Sequence, residues 1–192
     1  GVRKLGSIGL PVYNTEVKIV PVDESSDEEV PTGEKGELLV KGPQIAKGYY
    51  KAEEETHSTF VDGWLRTGDV AVRDEDGIIT IVDRKKDMLI YNGYNIYPRQ
   101  IEEIIYEHEA VQSCVIIGIP DDIVGDRMKA FVVLKPNATA TVEDVLEYVN
   151  SRVVHYSKIR EIEQLEEIPM TASGKISRIA LQKMITKEGD RV

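Results

Sequence analysis

Three short stretches of the sequence combine charged residues with turn-forming ones, an arrangement that can present a charged group to a small ligand. In the first, Gly63–Asp69, an aspartate follows a Thr-Gly pair, which predicts a tight turn at the start of a strand. Two carboxylate oxygens held there can accept hydrogen bonds from the hydroxyls of a vicinal diol such as ribose. The simpler alternative is that Asp69 accepts hydrogen bonds from the N–H groups of its own turn.

The second stretch, Asp83–Pro98, begins with a dense cluster of charges and continues into an Asn-Gly pair. Asn92-Gly93 is a strong short-range signal for a β-hairpin, because both turn residues tolerate a positive φ. The simplest interpretation is a charged linker followed by a hairpin.

The third stretch, Thr171–Arg178, places Lys175 directly after Gly174 in a loop of small residues. A lysine there can reach a phosphate or a carboxylate, since its ammonium is a compact charge on a long stem. Taken alone, a loop lysine is more often only solvated.

Composition excludes several classes of function. The 192 residues fit one large domain or two small ones, and 41% apolar content is enough for a buried core. A net charge of −10 disfavours binding to nucleic acid or anionic membrane, and there is no apolar run long enough to cross a bilayer. One cysteine and three histidines cannot form a Cys/His zinc site. We therefore predict a cytoplasmic protein, and the absence of an initial methionine predicts a portion of a longer chain.

The first part of the chain is predicted to be mostly β. Residues 16–20 alternate polar and apolar, 37–41 form a second strand, and an acidic loop lies between them. A short helix is predicted within Lys51–Phe60. Strands at 70–73 and 77–82 are predicted to form a hairpin around Gly77.

After Asp83 the pattern changes to alternating strands and helices. Pro98 opens a helix, two apolar strands follow, and Thr141 begins a capping box before the next helix. The last predicted helix is amphipathic and carries Ile179, Leu181, Met184 and Ile185. The predicted fold class is therefore α+β, with a truncated, mostly-β subdomain at 1–83 and a small α+β domain at 84–192.

In this order and at this spacing, the three stretches resemble the carboxyl-terminal motifs of the adenylate-forming superfamily. That superfamily includes acyl-CoA synthetases, aryl-CoA ligases, luciferases and the adenylation domains of peptide synthetases. The resemblance covers essentially the whole chain, starting at Gly6–Pro11 and continuing through Gly36–Gly42. Asp83–Met88 followed by Gly93–Pro98 is most similar to the long-chain fatty acid CoA ligases.

The resemblance implies a two-step reaction and a role for five residues. A carboxylate would attack the α-phosphate of ATP, with Mg²⁺ held mainly by ATP and by upstream residues, and CoA would then displace AMP. Asp69 would bind the ribose hydroxyls with help from Arg84, and Lys175 would bridge the acyl carboxylate and the α-phosphate. Lys86 would be the hinge about which the small domain rotates, and Gly93 would line the tunnel for CoA. No metal ligand is implied within this chain.

The sequence departs from the family pattern in two ways. Gln100 stands where the family usually has a glutamate, although Glu102 is retained. Nothing matches the family's phosphate loop or its Tyr-Gly-x-Thr-Glu segment, both of which precede the matching region, and the acyl pocket is also upstream. We therefore expect half of an active site, no activity from this chain alone, and self-association through exposed strand edges.

Other functions stay open at this point. Within the superfamily they are an aryl or other acid–CoA ligase and a peptide-synthetase adenylation domain, in which a carrier-protein thiol replaces CoA. From another class comes a non-catalytic module that binds AMP through Asp69 and Arg84. The plainest alternative is an acidic α+β domain without a small-molecule site.

Overall fold

The computed structural model describes the backbone of residues 4–189 and the side chains of residues 4–185. The chain divides into two compact units, with the boundary between Asp87 and Met88. Both units mix helices with a five-stranded sheet, so the predicted α+β class is confirmed. None of the helices in the described range is long and apolar enough to cross a bilayer.

The first unit is an antiparallel sheet that carries one short helix. Its strand order is β1-β2-β4-β3, and β5 also pairs with β4. Four of its strands each contribute one residue to a small core of Ile19, Leu38, Ala71 and Ile79. The elements are β1 (Glu16–Val20), β2 (Lys35–Lys41), α1 (Glu53–Thr59), β3 (Phe60–Val61), β4 (Trp64–Arg73) and β5 (Ile79–Arg84).

The predicted hairpin around Gly77 is confirmed as the connection between β4 and β5. Gly77 has φ 78°, which a residue with a side chain rarely adopts. Asp74 closes the turn, because its Oδ1 accepts hydrogen bonds from the N–H groups of Asp76 and Ile78 at 3.0 and 2.9 Å. This turn sets the register in which β4 and β5 pair.

The second unit is a mixed sheet with helices on both faces. β9 pairs antiparallel with β8 and β6 and parallel with β10, while β7 pairs with β6. The elements are β6 (Leu89–Tyr91), β7 (Tyr94–Ile96), α2 (Pro98–Tyr106), β8 (Val111–Asp121), β9 (Gly125–Leu134), α3 (Val142–Asn150), β10 (Glu161–Gln164) and α4 (Arg178–Gly189).

The two faces of β8 explain why its sequence is almost continuously apolar. Cys114 and Ile116 pack in one core with residues of α2 and α3, whereas Val115 and Ile117 pack in another with Leu181 of α4. A strand buried on both faces cannot alternate polar and apolar residues. The sheet is therefore the central layer of the second unit.

Local capping chemistry fixes the starts of two helices as predicted. Pro98 occupies the first turn of α2, where its missing N–H costs nothing. At α3 the capping box is complete: the N–H of Asp144 donates to Thr141 Oγ1 at 3.2 Å, and the N–H of Thr141 donates to Asp144 Oδ2 at 2.8 Å.

The last predicted helix is present as α4, and three of its four named apolar residues pack in a core. Leu181 is fully buried, and Met184 and Ile185 pack beside it. Ile179, in contrast, is 69% exposed. Residues two positions apart on a helix lie about 200° apart, so Ile179 and Leu181 cannot share a face.

Candidate active-site residues

Asp69 lies in a β-bulge within β4, so the predicted tight turn before a strand is wrong. The pairing with β2 shifts between Glu37 and Leu39, and Gly68 adopts φ 69°. Thr67 Oγ1 fixes the bulge, since it donates to the carbonyl of Leu38 at 2.7 Å and accepts from the N–H of Asp69 at 3.1 Å. A continuous strand with one bulge therefore holds the carboxylate.

Asp69 and Arg84 form an ion pair across two neighbouring strands. They are direct partners in the pairing of β4 with β5, and Arg84 Nε lies 2.8 Å from Asp69 Oδ1. The Asp69 side chain is 26% exposed and that of Arg84 is 61% exposed, so solvent or a ligand can reach both. Each carboxylate oxygen accepts more than one hydrogen bond, so a single ion pair leaves capacity for a hydroxyl.

A buried glutamate holds the chain just after Arg84. Glu37 is 3% exposed, and its Oε2 accepts hydrogen bonds from Arg66 Nη1 and from Lys85 Nζ, each at 2.9 Å. Lys85 also pairs with Glu24. Burial by itself lowers the pKa of Lys85, but the hydrogen bonds to Glu24 and Glu37 outweigh it and raise the pKa above its usual value. Lys85 is therefore a charged anchor for the end of the first unit.

Sequence reasoning missed this anchor. Glu37 stands at the start of the apolar run Glu-Leu-Leu-Val, where it looks like the outward residue of a strand. Its partners Arg66 and Lys85 are 29 and 48 residues away in sequence. The only feature of the sequence that could have indicated a buried Glu37 is its place beside an apolar run.

Lys86 and Gly93 occupy the turns on either side of β6. Lys86 is exposed in a short 3-10 turn, Lys85–Asp87, at the boundary between the two units. The Asn92-Gly93 turn joins β6 to β7, so the predicted hairpin is confirmed, and its two residues have φ 49° and 80°. A Cβ built on Gly93 meets nothing within 4 Å, so backbone conformation rather than crowding favours glycine.

Lys175 lies in a loop that is closed by its own hydrogen bonds. The N–H of Thr171 donates to the carbonyl of Lys175 at 2.6 Å, and the N–H of Ser177 donates to the carbonyl of Pro169 at 2.8 Å. Gly174 has φ 76°, which permits the tight reversal beside Lys175. The exposed lysine therefore projects from a short, internally bonded loop.

The structure brings two of the five candidate residues into contact. Asp69 and Arg84 are paired in the first unit, and Lys86 follows two residues later. Gly93 and Lys175 belong to the second unit. Among the described side chains, residues 4–185, we find no group of three or more His, Cys, Asp or Glu that could hold a metal ion.

Two family models match the chain. The model described as AMP-binding enzyme matches residues 1–50, and the model described as AMP-binding enzyme C-terminal domain matches residues 100–175. Among curated relatives, a long-chain-fatty-acid–CoA ligase of Bacillus subtilis is 47% identical over 93% of this chain. The chain spans 31% of that relative's length.

Solved structures of similar fold come from the same group of enzymes. ATP-bound MatB from Rhodopseudomonas palustris is 29% identical, with a TM-score of 0.87 over 96% of this chain and 36% of its own. The o-succinylbenzoate CoA synthetase of Bacillus subtilis, in complex with its acyl-adenylate intermediate, is 32% identical, with a TM-score of 0.83 over 93% of this chain and 36% of its own. With both family models, these relatives and this fold in agreement, the chain belongs to the AMP-binding, adenylate-forming enzymes and includes their C-terminal domain.

Proposed function

We propose that the chain is the carboxyl-terminal portion of an ATP-dependent fatty acid–CoA ligase. In the first half-reaction the acid's carboxylate attacks the α-phosphate of ATP, the bond to pyrophosphate breaks, and an acyl-adenylate forms. In the second, the sulfur of CoA attacks the acyl carbonyl and AMP leaves. The 47% identity to a curated fatty acid ligase supports the choice of acid.

The observation that carries the proposal is the Asp69–Arg84 pair. Arg84 Nε orients one oxygen of the carboxylate at 2.8 Å, and the bulge at Gly68 holds the backbone beneath it. A carboxylate held in this way can accept hydrogen bonds from both hydroxyls of a ribose, which favours a nucleotide as the ligand. The role that we propose for the pair is to bind the sugar of ATP, the acyl-adenylate and AMP.

The role that we propose for Lys175 is electrostatic. The first half-reaction brings two anions together, the acyl carboxylate and the α-phosphate, and negative charge concentrates between them in the transition state. An ammonium placed there offsets that charge. When bound, Mg²⁺ offsets charge on the phosphates in the same way. Lys175 suits the task because it is exposed and extends from a loop with internal hydrogen bonds.

The other two candidate residues, Lys86 and Gly93, have proposed roles in thioester formation. Rotation about Lys86 would exchange the Lys175 face of the second unit for the Gly93 face. Lys86 suits a hinge because it is an exposed residue of a short turn that follows the anchored Lys85. Gly93 would line the path of the pantetheine arm of CoA.

The chain spans 31% of its curated relative, so we propose that it has little activity alone and that ATP, the acid and CoA act on the longer protein. We also propose that the isolated chain self-associates through exposed strand edges. Because both ATP and CoA are needed, the cytoplasm is the compartment that this proposal implies.

The test is pyrophosphate release by the full-length protein, measured against a panel of fatty, aromatic and amino acids, followed by acyl-CoA formation. We expect ATP-dependent release with fatty acids and transfer to CoA. A preference for aromatic acids would favour the second candidate, an aryl-CoA ligase, which the likeness to an o-succinylbenzoate CoA synthetase supports. AMP binding without pyrophosphate release would leave only a binding module, and transfer to a carrier protein alone would indicate a peptide-synthetase domain.

A further inference from the structure

Two side chains of opposite charge bracket one residue of β8 by bonding its backbone N–H and its backbone carbonyl. Glu102 Oε1 accepts a hydrogen bond from the N–H of Ile116 at 2.8 Å, and Arg178 Nη1 donates to the carbonyl of the same residue at 2.7 Å. The two charged groups also face each other, with Arg178 Nη2 3.6 Å from Glu102 Oε1. Their side chains are only 30% and 13% exposed, so solvent screens the pair incompletely.

The bracket lies on the side of β8 that faces away from β9. In an antiparallel strand the N–H and C=O of one residue point to the same side, and those of Ile116 point to α2 and α4. Tyr106 lies one helical turn beyond Glu102 and bonds the backbone of Cys114 in the same way. The Tyr106 hydroxyl accepts a hydrogen bond from the Cys114 N–H and donates one to the Cys114 carbonyl, each at 3.3 Å. Helix α2 therefore covers this edge with polar groups at Glu102 and Tyr106.

Arg178 differs from Tyr106 because it comes from the segment that carries Lys175. It is the first residue of α4 and stands three positions after the lysine. The loop is closed at its base by the hydrogen bond from the N–H of Ser177 to the carbonyl of Pro169. Arg178 is thus the residue that directly follows the last hydrogen bond of the loop. Its contacts with Glu102 and Ile116 hold Arg178 to the sheet.

We infer that Glu102 and Arg178 are positioning residues for Lys175: the pair fixes the base of the loop to β8 and so aims the ammonium for adenylation. The inference rests on the proposed function of Lys175. It also gives a role to the glutamate that the sequence retains two residues after Gln100. Neither side chain needs to touch the substrate, because each acts through the placement of the loop.

Hydrogen exchange on the 192-residue chain tests the structural half of the inference. Arg178→Met removes both the ion pair and the bond to the Ile116 carbonyl, while Glu102→Gln keeps an acceptor for the Ile116 N–H and removes only the charge. We expect the amides of Lys175 and Ser177 to exchange about tenfold faster in Arg178→Met and about threefold faster in Glu102→Gln.

Matched controls come from helix α2, which also carries Glu102. Arg99 and Glu103 form an exposed ion pair on α2, with side chains 57% and 67% exposed. Arg99→Met and Glu103→Gln repeat the two chemical changes away from the loop and should leave the exchange of Lys175 and Ser177 unchanged. Unchanged exchange in both test variants, or equal acceleration in the controls, would overturn the inference.

Half-reaction kinetics on the full-length protein test the functional half. We expect Arg178→Met to slow acyl-adenylate formation about tenfold while thioester formation from supplied acyl-adenylate stays within about twofold of the unmodified protein. Equal loss in both half-reactions, together with a lower melting temperature, would mean that the pair only stabilises the fold. If the unmodified protein makes no acyl-adenylate, the proposed function fails, and the exchange result still decides whether the pair holds the loop.

Discussion

Asp69 and Arg84 face each other as register partners on β4 and β5, with Arg84 Nε 2.8 Å from Asp69 Oδ1. Their contact depends on two local features, the Asp74–Gly77 turn that sets the pairing and the bulge at Gly68 that presents the carboxylate. Both features belong to the first unit, so the pair forms without any contribution from the second. The geometry of the proposed ribose site is therefore set within the first unit.

Loss of the Asp69 charge should weaken nucleotide binding. In the full-length protein, Asp69→Asn keeps the side-chain shape but removes a charged acceptor, so we expect the dissociation constant for AMP to rise about tenfold to a hundredfold. Titration calorimetry measures it. Asp76→Asn is the control, since Asp76 is a 66% exposed carboxylate of the same unit. An unchanged AMP affinity in Asp69→Asn would argue against a role in ribose binding.

Restriction of the backbone at Lys86 should impair the second half-reaction. Lys86→Pro locks φ near −65°, so the turn can no longer change conformation. We expect acyl-adenylate formation to proceed and transfer to CoA to fall about tenfold or more in the full-length protein. Lys86→Ala, which removes the side chain but leaves φ free, is the control. Normal rates for both half-reactions in Lys86→Pro would rule out the hinge role.

Features governed by neighbouring residues were predictable from the sequence. The Asn92-Gly93 hairpin and the Thr141 capping box are decided by a few adjacent residues, and both are confirmed. The setting of Asp69 within a strand was not predictable in this way. A Thr-Gly-Asp run permits either a turn or a bulge, and the pairing of β4 with β2 decides between them.

Features that depend on distant partners were not predictable. β10 is four residues long, and its parallel pairing with β9 joins Glu161 to Lys129. Nothing in its own sequence distinguishes it from a loop. The anchor of Lys85 on Glu37 and the bracket of Glu102 with Arg178 likewise need residues far apart in sequence to meet. Such contacts exist only once the sheets have formed.

The stability of the chain should fall in alkaline solution partly because of Cys114. Burial, and secondarily the charge of Glu102, raises the pKa of this thiol from 9.0 to about 12. From pH 9 upward the unfolded chain releases the proton and the folded chain keeps it, so folding loses free energy until the pH passes the folded-state pKa. We expect the free energy of unfolding to drop by about 1 kcal/mol more between pH 8 and 10 than in Cys114→Ala.

Urea unfolding at a series of pH values measures this difference. The same burial predicts that iodoacetamide leaves the folded thiol untouched, because only 1% of Cys114 is exposed. Parallel pH profiles for the two proteins, or rapid labelling under native conditions, would contradict the proposed burial.

The isolated chain should self-associate through its first unit. Leu10, Val12 and Tyr13 are 63, 69 and 91% exposed, a concentration of apolar surface that favours contact with another chain. We expect the sedimentation coefficient to rise with concentration and the double variant Leu10→Ser, Val12→Ser to reduce the rise. Ile123→Ser, which changes a 91% exposed residue of the second unit, is the control. A monomer at every concentration would contradict this prediction.

The most direct test of the account separates the two half-reactions in Lys175→Ala of the full-length protein, with the exposed Lys183→Ala of α4 as the control. Rapid-quench measurement of pyrophosphate release reports adenylation, and acyl-CoA formation from supplied acyl-adenylate reports the second step. We predict an adenylation rate lower by about 10²- to 10³-fold, with thioester formation within a few-fold of the unmodified protein. Equal losses in both steps, or full adenylation without the lysine, would contradict the assignment of Lys175.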